Sequence, residues 1–222
     1  MICAIHQPNF FPWLGYFDKI KNADRFIILD DVQYPKKGGG WSNRVSFNIN
    51  GKSQFFTAPI TRPHGLRNIN EVDFTDTNWR IKFIKTLQAN YAKAPYFNEY
   101  KDFIFELINF PSNNIAHFNI NAIEKLCSLL AINTPMETSS SHSVKTTSNQ
   151  LLIDLTKSVS CNTYMAGGGA DGYQDTEMFK QQGIGFQYQS FKHPKYDQIK
   201  TTEFIAGLSI VDYIFNMGIV EW

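Results

Sequence analysis

The apolar and polar positions follow the rhythm of an α/β chain. Residues 1–5 are apolar and stop at His6-Gln7-Pro8-Asn9, the pattern of a buried parallel strand running into a proline-containing break. A helical pattern follows Trp13-Leu14-Gly15. Tyr16, Ile20 and Ala23 share one face at i, i+4 and i+7, with Asp18, Lys19, Lys21 and Asn22 expected to face outward. A second apolar run, residues 25–29, ends in Asp30-Asp31. Together these predict a βαβ unit with a right-handed crossover. Two alternating runs, residues 45–49 and 53–60, flank Asn50-Gly51 and predict a hairpin. Residues 70–74 are expected to form a short strand. Helices are expected over residues 78–90, 97–110, 115–130 and 151–159. The Ser/Thr-rich residues 138–148 read as a surface loop. Strands over 161–165 and 184–188, a helix over 177–181 stopped by Gly183, and a closing helix over 204–216 complete the pattern. The predicted fold is α/β: a Rossmann-like, mainly parallel sheet opened by a βαβ unit, with a hairpin insertion and a helical centre. No repeat or linker interrupts it, so residues 1–222 read as one domain.

Composition narrows the classes of function. Hydrophobic residues make up 43% and charged residues 18%, which excludes a disordered chain. The aromatic share is high, 15%; part of it must be core, and a surplus also suits a groove for flat rings or sugar faces, with core the expected role of any single Phe. Net charge is +1 with no basic stripe, which argues against electrostatic nucleic-acid binding. Cys3, Cys127 and Cys161 are widely spaced, without a CxxC or zinc spacing, and read as reduced thiols of a cytoplasmic protein. No run of about 18 apolar residues suggests a membrane span, and the N-terminus lacks the regions of a signal peptide. No cofactor and no metal site are expected.

Candidate chemistry gathers where strands end, because ligands of open α/β sheets bind beyond the carboxyl ends of strands. His6 ends the first strand and is a candidate general base or phosphate ligand; the competing role is a structural histidine. Asp30 and Asp31 end the second. Since successive strand side chains point to opposite faces, one of the two is expected to face the cleft. The competing role is to cap the next turn. Gln7 sits beside His6 at the first strand end. Gln33, Lys36, Asn43 and Arg44 follow Asp31 on or near a flexible glycine-containing loop, where Lys and Arg suit a phosphate or carboxylate; the competing role is an ordinary solvated loop. Gly167-Gly168-Gly169, between a strand and a helix, has the placement of a phosphate cradle but matches neither standard glycine motif. The loop FKHPKYDQ carries Lys192, His193, Tyr196 and Gln198. His64, His117 and His142 read as structural or surface residues. No G-x-S-x-G is present, and Cys3 lies in a buried strand where a thiol is inert. The cleft is therefore expected around residues 6–36, with residues 167–173 and 192–198 as its other side.

The segments IHQPNFFPWLGYFDKI, LDDVQY, WSNR, GGGADGY, FKHPKYDQ and LSIVDYIFNMG, in this order, resemble the WbqC-like family over nearly the whole chain. That resemblance implies a setting in bacterial O-antigen and surface-polysaccharide (lipopolysaccharide) biosynthesis. It marks His6, Gln7, Asp30, Asp31, Gln33, Asn43, Arg44, Tyr173, His193, Tyr196 and Gln198 as motif positions. The first 36 residues are also similar to the start of nucleotidylyltransferases and pantothenate synthetase, whose H-x-G-H motif corresponds here to Trp13-Leu14-Gly15-Tyr16. Both histidines are replaced by aromatics, which argues against ATP. Three functions remain open. The first is a transferase forming an amide on a nucleotide-linked amino sugar from an acyl donor or carrier protein. In it His6, Asp31 and His193 act catalytically, while Gln7, Asp30, Gln33, Lys36, Asn43, Arg44, Gly168, Tyr173, Lys192, Tyr196 and Gln198 bind substrate. The second is nucleotidylyl-transfer or ATP-dependent ligase chemistry. The third is non-catalytic sugar binding.

Overall fold

The computed structural model describes residues 1–35, 40–61, 65–168 and 174–222. Lys36 and Tyr173 lie outside the described residues, as does Gly169. The elements run in the order β1 (Ile2–His6), α1 (Leu14–Lys21), β2 (Arg25–Ile28), β3 (Arg44–Ile49), β4 (Lys52–Thr57), α2 (Asn78–Tyr91), α3 (Phe97–Ile108), α4 (Ile115–Leu129), β5 (Met136–Thr138), α5 (Ser148–Ser158), β6 (Thr163–Ala166), α6 (Thr176–Gln181), β7 (Gly185–Tyr188) and α7 (Ile210–Met217). They group into two compact units. The first comprises Met1–Gln7, Gly15–Asp31 and Ile132–Lys192; the second comprises Pro8–Leu14, Val32–Ala131 and His193–Trp222. The interleaving of these segments explains why no linker is legible in the sequence.

The first unit is built on a five-stranded sheet in the order β5-β2-β1-β6-β7. Every neighbouring pair is parallel. Counted along the chain the order is 3-2-1-4-5, the doubly wound Rossmann arrangement, whose switch point lies between β1 and β6. One face packs on α5 and α6 through Cys3, Ile5, Ile27, Ile153, Leu155, Tyr164 and Phe179. On α1, Tyr16 meets Phe26 at 5.6 Å between ring centroids.

Unit two holds the antiparallel hairpin β3–β4 and helices α2, α3, α4 and α7. Asn50 and Gly51 both have positive φ, 53° and 77°, as a two-residue primed turn requires. A Cβ at Gly51 would lie 2.5 Å from the Lys200 carbonyl oxygen, so only glycine fits. The core is aromatic. Phe10 and Phe11, wholly buried, meet Phe83 at 5.5 and 5.4 Å, and Phe56 stacks on Phe83 at 4.2 Å. Phe74, Trp79 and Phe118 close the cluster. Much of the aromatic surplus is therefore core.

Three local expectations change. Residues 70–74 are not a strand: a 3-10 turn, Ile69–Glu71, leads into single bridges from Asp73 to Asn114 and from Phe74 to Ile60. The closing helix starts at Ile210 rather than 204. Gly207 has φ 73°, and the Ser209 hydroxyl caps the helix by accepting from the Val211 amide. The Ser/Thr-rich stretch does not lie wholly on the surface, since Ser139 is buried within the 3-10 turn Ser139–Ser141.

Candidate functional site

The carboxyl rim of the five-stranded sheet gathers the strand-end residues of the first unit. His6 ends β1, the central strand, at the switch point. Its Nδ1 lies 3.1 Å from the Gln7 carbonyl oxygen. A carbonyl only accepts, so Nδ1 carries the hydrogen and Nε2 keeps its lone pair. Nε2 makes no hydrogen bond among the described residues. The Tyr16 ring packs edge-on against the imidazole at 4.9 Å, and the Tyr16 hydroxyl donates to the same Gln7 carbonyl at 3.0 Å. The Leu29 amide donates to the His6 carbonyl at 2.8 Å, which fixes the backbone. Gln7 itself is half-buried.

Burial, followed by the positive charge of Lys19, holds the His6 pKa down to about 4. The unfolded chain takes up this proton near 6.5 and the folded chain near 4. Lowering the pH through that interval therefore favours unfolding. Lys19 does not face outward: it is 3% exposed and donates to the Ile5 carbonyl at 2.8 Å. Three positions after Tyr16, it lies on the packed face of α1, a spacing the i, i+4, i+7 reading passed over. Burial lowers its own pKa to about 8. Replacing it should remove the smaller of the two causes. In Lys19→Met, the His6 pKa followed by NMR titration of the ring is expected to rise toward the ordinary histidine value; an unchanged midpoint would show that burial alone sets it.

Asp30 and Asp31 lie past the end of β2, so strand alternation no longer governs them. Both carboxylates nevertheless meet the same partner, Ser139. The Ser139 hydroxyl lies 3.1 Å from Asp30 Oδ1 and makes a short hydrogen bond with Asp31 Oδ1. The Ser140 amide donates to Asp30 Oδ1 at 3.0 Å and its hydroxyl to Oδ2 at 2.8 Å. Asp30 is thus buried and locked. Asp31 is half-buried, and its Oδ2 makes no hydrogen bond among the described residues. Ser139 and Ser140 were missed in the sequence; the available signal was a run of hydroxyls directly after a short strand. Gly167 and Gly168 follow β6, and a Cβ on either would meet nothing within 4 Å among the described residues. At the end of β7, Gln189 donates to the Gly15 carbonyl and to Asp18, at 2.8 and 2.7 Å. Lys192 is exposed.

The remaining candidates belong to the second unit. The His193 imidazole stacks on Trp13 at 6.1 Å and on Tyr196 at 6.2 Å, with its Nδ1 3.0 Å from the Pro194 carbonyl oxygen. The polar ends of Tyr196 and Gln198 are committed inside the fold: both donate to Asp212 Oδ2, at 2.7 and 3.0 Å. Tyr91 donates to Asp212 Oδ1 at 2.7 Å. Asp212 is wholly buried, and desolvation raises its pKa despite those donors. Its signal in the sequence was a lone acid within an apolar closing helix. Asn43 is likewise committed, accepting from the Tyr34 hydroxyl and donating to the Ala58 carbonyl, each at 2.8 Å. Gln33 is exposed beside a single bridge to Asn68. The Arg44 guanidinium lies 4.6 Å from the Phe55 ring centre and 5.8 Å from that of Trp41.

Buried thiols do not offer a nucleophile. Burial pushes Cys3 and Cys127 up to about 12 and raises Cys161. Among the described residues, no three His, Cys, Asp or Glu side chains cluster so as to hold a metal ion. No helix among them is long and apolar enough to cross a membrane.

Comparison with known proteins agrees with the sequence likeness. The chain is 30% identical over 220 residues to the uncharacterized protein Rv1507c of Mycobacterium tuberculosis, covering 97% of this chain and 93% of that protein. No solved structure matches. Residues 7–221 match the WbqC-like protein family, and the chain belongs to that family.

Proposed function

We propose that this protein transfers an acyl or aminoacyl group to the amine of a nucleotide-linked amino sugar during bacterial surface-polysaccharide synthesis, with His6 as general base. The observation that carries the reading is the His6 imidazole itself. It is neutral at physiological pH, held by one ring nitrogen and without a hydrogen bond at the other among the described residues, at the switch point of a Rossmann-ordered sheet. The amine nitrogen attacks the acyl carbon and the C–N bond forms. Nε2 takes the proton the nitrogen sheds, and the donor's leaving group departs with the bonding pair and later collects that proton. The Gln7 carbonyl, not Asp31, orients this base. Asp31, steadied by Ser139, suits a sugar hydroxyl through its remaining oxygen.

The test is to incubate the protein with nucleotide amino sugars and a panel of acyl thioesters and look for the amide by mass spectrometry. Absence of both product and binding across the panel sinks the reading. Where turnover is found, the acid limb of kcat/KM should fall near pH 4 rather than near 6.5, because the free enzyme's base titrates there. A nucleotidylyl-transfer reading draws on the same strand order. Calorimetry with Mg-ATP separates the two: a flat baseline removes the nucleotidylyl reading.

A further inference from the structure

We propose that Trp41, Arg44 and Phe55, in the second unit, form a platform for a nucleoside diphosphate, with the base on the rings and the phosphates on the guanidinium. The hairpin register builds it. Arg44 pairs with Thr57, and Phe55 lies two residues away on the same face of β4, the diagonal distance that a long side chain spans. Trp41 is fixed just before β3, where its carbonyl accepts from the Phe10 amide at 2.8 Å.

Two features call for a ligand. Trp41 and Phe55 are 51% and 50% exposed although their ring centres lie 5.8 Å apart, so two adjacent large aromatic side chains stay about half in water. Beside them, the Arg44 guanidinium makes no ion pair or hydrogen bond among the described residues, and its Nε is buried without an acceptor. A planar fork of donors lying against rings matches a phosphate bidentately, and the exposed ring faces match a flat base. A carboxylated sugar shares the anion but offers only a puckered ring. The acyl-transfer reading guides only the choice of a nucleotide as the anion.

The experiment is calorimetry and tryptophan fluorescence on the full chain with uridine diphosphate, adenosine diphosphate, pyrophosphate and glucuronate. Both nucleotides are expected to bind and quench. Arg44→Gln should weaken nucleotides and pyrophosphate alike by roughly tenfold or more, the discrimination of a charged bidentate pair. Trp41→Ala and Phe55→Ser should weaken nucleotides by roughly 5- to 100-fold, the range of one base stack, and leave pyrophosphate unchanged. Both rings are half-exposed, so these variants keep the fold, which circular dichroism checks. The proposal is overturned if no nucleotide binds saturably, if binding survives Arg44→Gln, or if glucuronate binds while nucleotides do not. The titration needs no acyl donor. Nucleotide binding without amide formation therefore supports the platform and removes only the acyl-transfer reading. Amide formation indifferent to Arg44→Gln removes only the platform.

Discussion

His6→Gln should form the amide product roughly 10²–10⁴-fold more slowly than the unaltered chain, with its melting temperature little changed. Glutamine keeps a side-chain donor for the Gln7 carbonyl but presents no basic nitrogen. The backbone at this position is held independently, by the Leu29 amide on the His6 carbonyl. The loss should lie toward the lower half of that range, because a base held near pKa 4 is a weak one and its advantage over water is correspondingly smaller. The loss should also vanish below about pH 4, where the native imidazole is itself protonated. Rates measured across pH 3.5–8 check both points. Equal rates for the two proteins at neutral pH would remove His6 from the chemistry.

Phe83→Ala should destabilise the second unit by about 3–5 kcal/mol, the usual cost of removing a fully buried phenyl ring. Phe83 is wholly buried and sits at the centre of the aromatic cluster. It stacks on Phe56 at 4.2 Å and meets Phe10, Phe11 and Phe47 at 5.3–5.5 Å. Its neighbours come from β3, β4 and the segment after β1, so no single element can collapse into the space. For a chain of this length the loss corresponds to a fall of roughly 6–20 °C in Tm. Thermal unfolding followed by circular dichroism measures it. Ile81→Ala, at a 58% exposed site on the same helix, is the control and should change stability by less than about 0.5 kcal/mol. A fall for Phe83→Ala no larger than the control's would mean the cluster is not the core of this unit.

Much of the fold was legible because it rests on local regularities. The apolar runs at residues 1–5 and 25–29, the Asn50-Gly51 turn and the apolar helix faces each lie within a few neighbouring residues. They were found close to where the structure has them. Parallel strands buried on both sides read as continuous apolar runs, and a two-residue turn with positive φ at both positions selects Asn-Gly. One misreading has a clear long-range cause. Residues 70–74 have strand-like composition, yet they are paired only by single bridges to Asn114 and Ile60, partners no local pattern reveals.

The sequence by itself determined the strand ends, and with them the positions of His6, Asp30 and Asp31 on one carboxyl rim. Strand periodicity and parallel topology are set by side-chain pattern, so strand-end residues can be located without coordinates. Tertiary structure alone decided what those residues meet. Asp30 and Ser139 are 109 positions apart, and Tyr91 and Asp212 are 121 apart. Hydrogen bonds of that span depend on sheet order and helix docking, which no spacing encodes. The basicity of His6 was decided the same way. A histidine at a strand end reads as an ordinary base, but the burial of the ring and of Lys19 beside it keeps the imidazole neutral far below its usual pKa. The residue was visible in the sequence; its proton affinity arises only from what packs around it.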